Sequence, residues 1–355
     1  MKSRLRLTDF PQNRWFGLGI RLWKTLEVPL FKLLQLFGVY TPQKSIVGIP
    51  SLATRNFTMV QAVVYNGTQE EVLGYRPRRL LHRILKGLPD VELYERIRFQ
   101  VALGEHNTRT VEESTETRGF IQVQFPSQLP MNAPSRAYLR MEPCGIETFA
   151  GLIRLGNYEV LSAPVFLLNN KIEWVIVSDI DDTIKDSKIA ETTTLRSVVT
   201  GLFRGHYYTY TPIKGMAQLY TDLVAHRSLV LYLTSTPYQL APFLLKFLKE
   251  CDFPKGPVFL RWLGYGRVRH KWRTLLRVLS NLEPNQRCIL IGDSGEQDLH
   301  IYRRICENPT FGKRVERILI RHVPGTPVQT PKSEKEFFYN EIAELREHLS
   351  FVTQT

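Results

Sequence analysis

Apolar positions fall into two textures along the chain. From about residue 171 onward, short continuous apolar runs alternate with longer stretches whose apolar residues recur at helical spacing. Trp174-Val175-Ile176-Val177 and Leu229-Val230-Leu231-Tyr232-Leu233 are of this first kind, and runs of that length and composition suit strands covered on both faces. The pattern predicts strands over 173–178, 228–234, 257–260, 287–292 and 316–321, with helices over 215–225, 238–250, 272–281 and 296–306. Strand and helix in regular alternation predict a parallel, doubly wound α/β sheet. Beyond Ser333, a capping-box spacing with Glu336 and the period of Phe338, Ile342, Leu345 and Leu349 predict a closing helix.

Between about 45 and 170 the runs are shorter and rich in β-formers: Met59 to Tyr65, Ile97 to Leu103, Phe120 to Phe125, Ala137 to Met141 and Val160 to Leu168. Turn signals such as Asn66-Gly67, Arg118-Gly119 and the Pro126 to Pro134 region separate them, which predicts an antiparallel β-sandwich. Arg76, Arg78, Arg79, His82, Arg83 and Lys86 interrupt the series as a basic helix or loop. Residues 1–44 hold eight Lys or Arg against Asp9 and Glu27, interleaved with Trp15, Phe16, Trp23 and Phe31. That mixture reads either as an interfacial membrane anchor or as a helix packed on its neighbour with its charges in water. The organisation is therefore a basic amphipathic segment (1–44), a β-sandwich (45–170), an α/β domain (171–327) and a C-terminal helix (328–355).

Composition narrows this picture only in places. Of 355 residues, 43% are hydrophobic and 23% charged, the profile of a globular protein. Lys and Arg number 47 against 34 Asp and Glu, a net charge of +13 that favours anionic partners. Four scattered cysteines form no pairing pattern, which fits a reducing, cytoplasmic setting. Charges and Pro29 interrupt the apolar residues of 15–38, so no stretch reaches the ~20 apolar residues of a membrane-spanning helix.

The chemistry concentrates where apolar runs end. Asp179 and Asp181 follow the first run, Thr183 follows them, and Thr234-Ser235-Thr236-Pro237 ends the second. Ligands bind past the carboxyl ends of strands in such sheets. There one carboxylate can attack phosphorus while another moves protons. Lys271 opens a helix pattern 22 residues before Asp293, and Ile289-Leu290-Ile291-Gly292-Asp293 is followed by Asp298.

These four ordered segments resemble the haloacid dehalogenase-like phosphatases. The wording Asp-Ile-Asp-Asp-Thr with Gly-Asp-Ser-Gly-Glu-Gln-Asp is similar to the actin-patch-associated phosphatidate phosphatase catalytic domain and its bacterial relatives, over roughly 171–323. The resemblance implies a haloacid dehalogenase-like sheet with a minimal cap, preceded by the β-sandwich. It implies Asp179 as nucleophile and as a ligand of Mg²⁺, together with the backbone carbonyl of Asp181 and the carboxylate of Asp293. It implies Asp181 as general acid and base, and Thr183 as a brace of the loop. Thr234 would bond a phosphoryl oxygen, with Ser235 and Thr236 as alternatives. Lys271 would stabilise transferring charge, with Arg269 and Arg273 flanking it. Asp298 would support the metal site or cap its helix.

The spacings leave no room for a large cap, which suits a bulky substrate. Trp262, Tyr265 and nearby basic residues form a candidate lip for an anionic phospholipid surface. The leading reaction is phosphatidate to diacylglycerol and phosphate by a protein peripheral to a membrane, with no nucleic-acid partner. The alternatives are the same mechanism on a nucleotide, nucleic-acid end or phosphoprotein, and a membrane-binding module with a vestigial catalytic domain.

Overall fold

The computed structural model describes residues 43–68, 95–102, 108–114, 120–127, 136–148, 151–153, 157–186, 211–261 and 266–354. The basic N-terminal segment up to residue 42, the Arg76–Lys86 run, and Trp262 and Tyr265 lie outside the described residues.

The first half forms strands β1 (Gln43–Ala53), β2 (Phe57–Asn66), β3 (Glu95–Ala102), β4 (Thr108–Ser114), β5 (Phe120–Pro126), β6 (Arg136–Thr148), β7 (Gly151–Ile153), β8 (Asn157–Leu161) and β9 (Pro164–Leu167). They join in one sheet of order β4-β3-β6-β9-β1-β2-β5, with β7 beside β6 and β8 beside β1. Pairing is antiparallel except that β8 and β9 run parallel to β1. Strand β5 alternates cleanly, burying Ile121, Val123 and Phe125 and exposing its glutamines. Strand β2 does not alternate, because both its faces are covered. Val60, Ala62 and Val64 enter the sheet's own core, while Met59, Val63 and Tyr65 face the second half of the chain. Strand β1 carries Gly48 and Pro50, with a register shift between Ile49 and Leu52. The Ser51 hydroxyl repairs that irregularity, donating to the Ile49 carbonyl at 2.7 Å and accepting from the Gln61 amide at 3.1 Å.

The second half contains β10 (Trp174–Ser178), β11 (Lys185–Asp186), β12 (Thr211–Pro212), β13 (Ser228–Pro237), β14 (Val258–Arg261), β15 (Arg287–Asp293), β16 (Val315–Arg321) and β17 (Glu336–Tyr339). Its helices are α1 (Met216–Val224), α2 (Ala241–Glu250), α3 (Arg267–Leu279), α4 (Asp298–Cys306) and α5 (Ile342–Thr353). Six strands form a wholly parallel sheet of order β14-β13-β10-β15-β16-β17, as the alternating pattern predicts. Successive residues of β10 serve opposite layers: Ile176 packs with α1, α2 and α5, whereas Val175 and Val177 pack with α3 and α4. Strands β11 and β12 form a separate two-stranded ribbon beside the Asp179 loop.

One expectation is corrected. The segment after Ser333 begins as a sixth parallel strand, β17, and turns helical only at Ile342. Glu336 is no cap; its carboxylate receives the Arg303 guanidinium at 2.8 Å. The capping box of α5 is instead Glu341 with Glu344. Phe337 and Phe338 complete the sheet edge, and that use of the local sequence outweighs a helical period carried by few residues.

The two halves share their cores. Val47, Ile49, Val63 and Tyr65 belong to the same buried cluster as α1, α2 and α5; Leu52, Phe57 and Met59 join the cluster under α3 and α4. The first sheet thereby covers the outer strand β14. Its Gln61 side chain donates to the Val258 carbonyl at 3.2 Å, pairing one backbone acceptor on that edge.

Candidate active site

The parallel sheet reverses its winding between β10 and β15, and ligands gather at such a switch point beyond the strand carboxyl ends. Asp179, Asp181, Thr183, Thr234, Lys271, Asp293 and Asp298 lie there. Asp179 is the first residue past β10, fully buried, and its amide extends the ladder by donating to the Ile291 carbonyl at 2.9 Å. Ser178 fixes it further: the Ser178 hydroxyl donates to the Asp179 carbonyl at 2.6 Å, which leaves Tyr220 to donate to Ser178 at 2.7 Å. The chain then curls, with Asp182 at φ 56° and the amides of Thr183, Ile184 and Lys185 all directed at the Ile180 carbonyl. Arg321 braces the curl by donating to the Asp182 carbonyl at 2.8 Å. Thr183 is held through its backbone, while its hydroxyl is buried without a hydrogen-bond partner.

Lys271, on α3, reaches into the floor of the site. Its ammonium lies 2.7 Å from Asp179 Oδ1, 2.5 Å from Asp298 Oδ1 and 3.5 Å from Glu296 Oε2. Burial lowers its proton affinity, but Asp179, Asp298 and Glu296 outweigh that and hold it above the usual lysine range. Asp293 ends β15, and its Oδ1 accepts the amides of Gly295 at 2.6 Å and Glu296 at 2.9 Å. Asp298 opens α4 with its carboxylate turned to Lys271, and no side-chain cap bond forms at that helix end.

The carboxylates of Asp179, Asp293 and Asp298 each offer an oxygen within 4.8 Å of the others. The second oxygen of each, Oδ2, is buried with no hydrogen-bond partner. Burial and mutual repulsion push all three acids up, Asp293 to about 8. One lysine cannot balance three buried carboxylates and Glu296, and stranded carboxylate oxygens are costly. A cation held among them removes both problems, so the residues present fit a metal ion. The Asp181 carboxylate lies outside this cluster. Lys185 holds its Oδ1 at 2.5 Å, and Thr236 and Thr234 donate to its Oδ2 at 3.0 and 3.2 Å. Burial would raise Asp181, yet the Lys185 ammonium and these hydrogen bonds keep it below the usual carboxylate range.

Lys185 and Glu296 belong to the site and were not among the residues read from the sequence. Lys185 lies two residues beyond the quoted Asp-Ile-Asp-Asp-Thr motif, four after Asp181, and Glu296 sits inside the second motif, two before Asp298. A basic residue one turn beyond a candidate acid was the available signal. Glu296 accepts from Ser235 at 3.2 Å and Arg267 at 3.1 Å, which places Ser235 on the rim and Thr234 with Thr236 nearer Asp181. Arg269 and Arg273 flank Lys271 in sequence, but only Lys271 is buried among the acids.

Fold and site together define an α/β domain with a metal-capable acid cluster at its switch point. Residues 174–322 match the family described as the catalytic domain of phosphatidate phosphatase APP1, so this stretch resembles that family's phosphatase catalytic domain. Phosphatidate phosphatase APP1 of Saccharomyces cerevisiae is 27% identical over 192 residues, covering 51% of this chain and 31% of its own. An uncharacterized protein of Schizosaccharomyces pombe is 30% identical over 159 residues, covering 42% of this chain and 25% of its own. The chain thus spans a third or less of the length of these relatives. A Paenibacillus cycloisomaltooligosaccharide glucanotransferase structure covers 80% of this chain and 49% of its own at 8% identity, with a TM-score of 0.21 too low to bear on fold.

Proposed function

We propose that the protein is a Mg²⁺-dependent phosphomonoesterase of the haloacid dehalogenase-like type, acting through an aspartyl-phosphate on Asp179, with phosphatidate as its substrate. The observation that carries this reading is the buried trio of unpartnered carboxylate oxygens on Asp179, Asp293 and Asp298 beside Lys271. An all-carboxylate donor set suits a hard cation such as Mg²⁺, with the Asp181 carbonyl as a further oxygen ligand. When bound, the ion would neutralise the nucleophile and the substrate phosphate, which otherwise repel each other.

The chain's own groups supply the rest. Asp179 attacks phosphorus as the ester P–O bond breaks, and Asp181 protonates the leaving alkoxide. A water that gives its proton to Asp181 then cleaves the aspartyl-phosphate, releasing phosphate and restoring Asp179. Lys271 holds Asp179 in place and stabilises charge on the transferring group. Thr234 and Thr236 orient Asp181 and bound the phosphoryl position. We read the domain limits as 45–170 for a β-sandwich-like unit, 171–327 for the catalytic domain and 328–355 for the closing segment. No helix among the described residues is long and apolar enough to cross a membrane. With a net charge of +13, a peripheral encounter with anionic lipid fits the reading.

The test is phosphate release from phosphatidate in mixed micelles by wild type and Asp179→Asn, each with Mg²⁺ and with chelator. Release by wild type with Mg²⁺ alone is the expected outcome, with Asp179→Asn down at least ~10³-fold, the scale of losing an essential nucleophile. Turnover of a soluble ester but not of phosphatidate would keep the mechanism and reject the lipid. Failure on both would favour a binding module.

A further inference from the structure

The strand carrying Thr234 and Thr236 ends at Pro237, and a 3-10 turn, Tyr238–Leu240, carries the chain into α2. Two groups from the first sheet close on that turn. The fully buried Tyr65, on β2, donates its hydroxyl to the Tyr238 carbonyl at 3.1 Å and the Gln239 carbonyl at 3.2 Å. Phe120, on β5, stacks its ring on Tyr238 with centroids 4.7 Å apart and planes 20° from parallel. The register makes the pair a unit: Phe120 lies opposite Val63 across β2 and β5, and Tyr65 follows Val63 on the same face.

We propose that the first sheet is a positioning element of the active site, in which Tyr65 and Phe120 clamp the Tyr238–Leu240 turn and so hold Thr234 and Thr236 against Asp181. The linkage is short. The turn begins one residue after Pro237, and the Thr236 amide itself donates to Thr234 Oγ1 at 2.9 Å. Thr236 then donates to Asp181 at 3.0 Å. A backbone turn with two carbonyls anchored from outside its own domain has few alternative arrangements. Without that anchor, the threonine pair could swing away from the carboxylate. Tyr65 touches none of the reacting groups, so it acts through the turn alone. The catalytic half of this inference rests on the phosphatase reading; the structural half does not.

Two measurements on the full chain separate these halves. Hydrogen exchange in Tyr65→Phe, which deletes only the hydroxyl, should quicken in peptides spanning 235–241 by about tenfold, with α4 and β16 unchanged. Kinetics on an aryl phosphate should show kcat reduced about fivefold or more with KM nearly constant, and that loss should shrink below about twofold in a Thr236→Val background, as expected for residues acting as one unit. Gln61→Met is the control: it removes another bond across the same interface, to Val258 rather than the turn, and should lower Tm while leaving kcat unchanged. If Tyr65→Phe does not fold, Phe120→Leu carries both measurements. Unchanged exchange at 235–241 overturns the clamp. Quickened exchange with unchanged kcat, or an equal kcat loss in both backgrounds, overturns the positioning role. A wild type inert on every phosphomonoester defeats the phosphatase reading instead, and the exchange data still decide the clamp.

Discussion

Asp181 is biased towards one half of its proposed cycle. With Lys185 and the two threonines holding it below the usual carboxylate range, it is ionised at neutral pH. That suits taking a proton from water and handicaps giving one to a leaving group. Aryl phosphates, whose leaving groups need little protonation, should therefore be cleaved faster than alkyl phosphates. In the Mg²⁺-saturated protein the alkyl rate should climb as pH falls from 8 towards 6, by up to about tenfold per unit, while the aryl rate stays nearly flat. Lys185→Met removes the opposing charge, raises the Asp181 pKa and should narrow the aryl-to-alkyl ratio at fixed pH. A ratio that ignores both pH and Lys185→Met would place the proton donor elsewhere.

Gly292, the penultimate residue of β15, decides how closely α4 can approach the sheet. A Cβ built there would meet Asp298 Oδ2 at 2.6 Å, Asp298 Cβ at 2.8 Å and the Tyr302 ring at 3.0 Å. Gly292→Ala should therefore displace Asp298 from Lys271, costing about 1–3 kcal/mol by overpacking and weakening cation binding. Titration calorimetry with Mg²⁺ and a thermal melt would report the two effects separately, and an unchanged affinity would show that Asp298 is not needed for the ion. Elements like this one were legible because short apolar runs closed by Gly-Asp or Asp-x-Asp have few other uses. The strands β10, β13, β14, β15 and β16 fall within a few residues of their expected ends, and Asp179, Asp293, Asp298 and Lys271 meet beyond their carboxyl ends. Strand β1 was not legible, since Gly48 and Pro50 break its apolar run, and only the folded chain lets Ser51 supply the bonds that hold the irregularity together. Strand β17 was hidden because four residues are too few to carry a strand pattern of their own, and only pairing with β16 defines it. The role of Lys185 was hidden because i to i+4 spacing beside an acid is ordinary on any solvated turn, and only burial marks this pair as part of the site.

Charge balance across the whole molecule ties stability to the acid cluster. Asp179, Asp293 and Asp298 hold protons in the folded state that the unfolded chain releases near its ordinary carboxylate pKa. Their contribution is thus present at low pH and lost as pH rises through the window up to about 8, the value for Asp293. A divalent cation replaces those protons, so the gain in Tm on adding Mg²⁺ should grow from pH 5 to pH 8, reaching ~2.7 kcal/mol of stabilisation at a hundredfold excess over Kd. A gain independent of pH would mean that the ion binds elsewhere. The same scale governs which part of the chain can stand alone. The family match ends at 322, before β17 and α5, and begins at 174, after the first sheet. Yet Tyr339, Leu345, Leu349 and Val352 bury one layer of the parallel sheet together with Val63 and Tyr65, and Phe57 and Met59 help bury the other. Each such side chain is worth ~1.5–3 kcal/mol, and a domain's whole stability is ~5–15 kcal/mol, so stripping even four of these contacts consumes it. A fragment of residues 174–322 should accordingly be insoluble or lack a cooperative melt, whereas one of residues 43–354 should unfold in a single transition. If 174–322 melted cooperatively and bound Mg²⁺ as tightly as the longer chain, the shared cores would be dispensable, and the first sheet would be a separable neighbour of the catalytic domain instead of a unit it needs in order to fold.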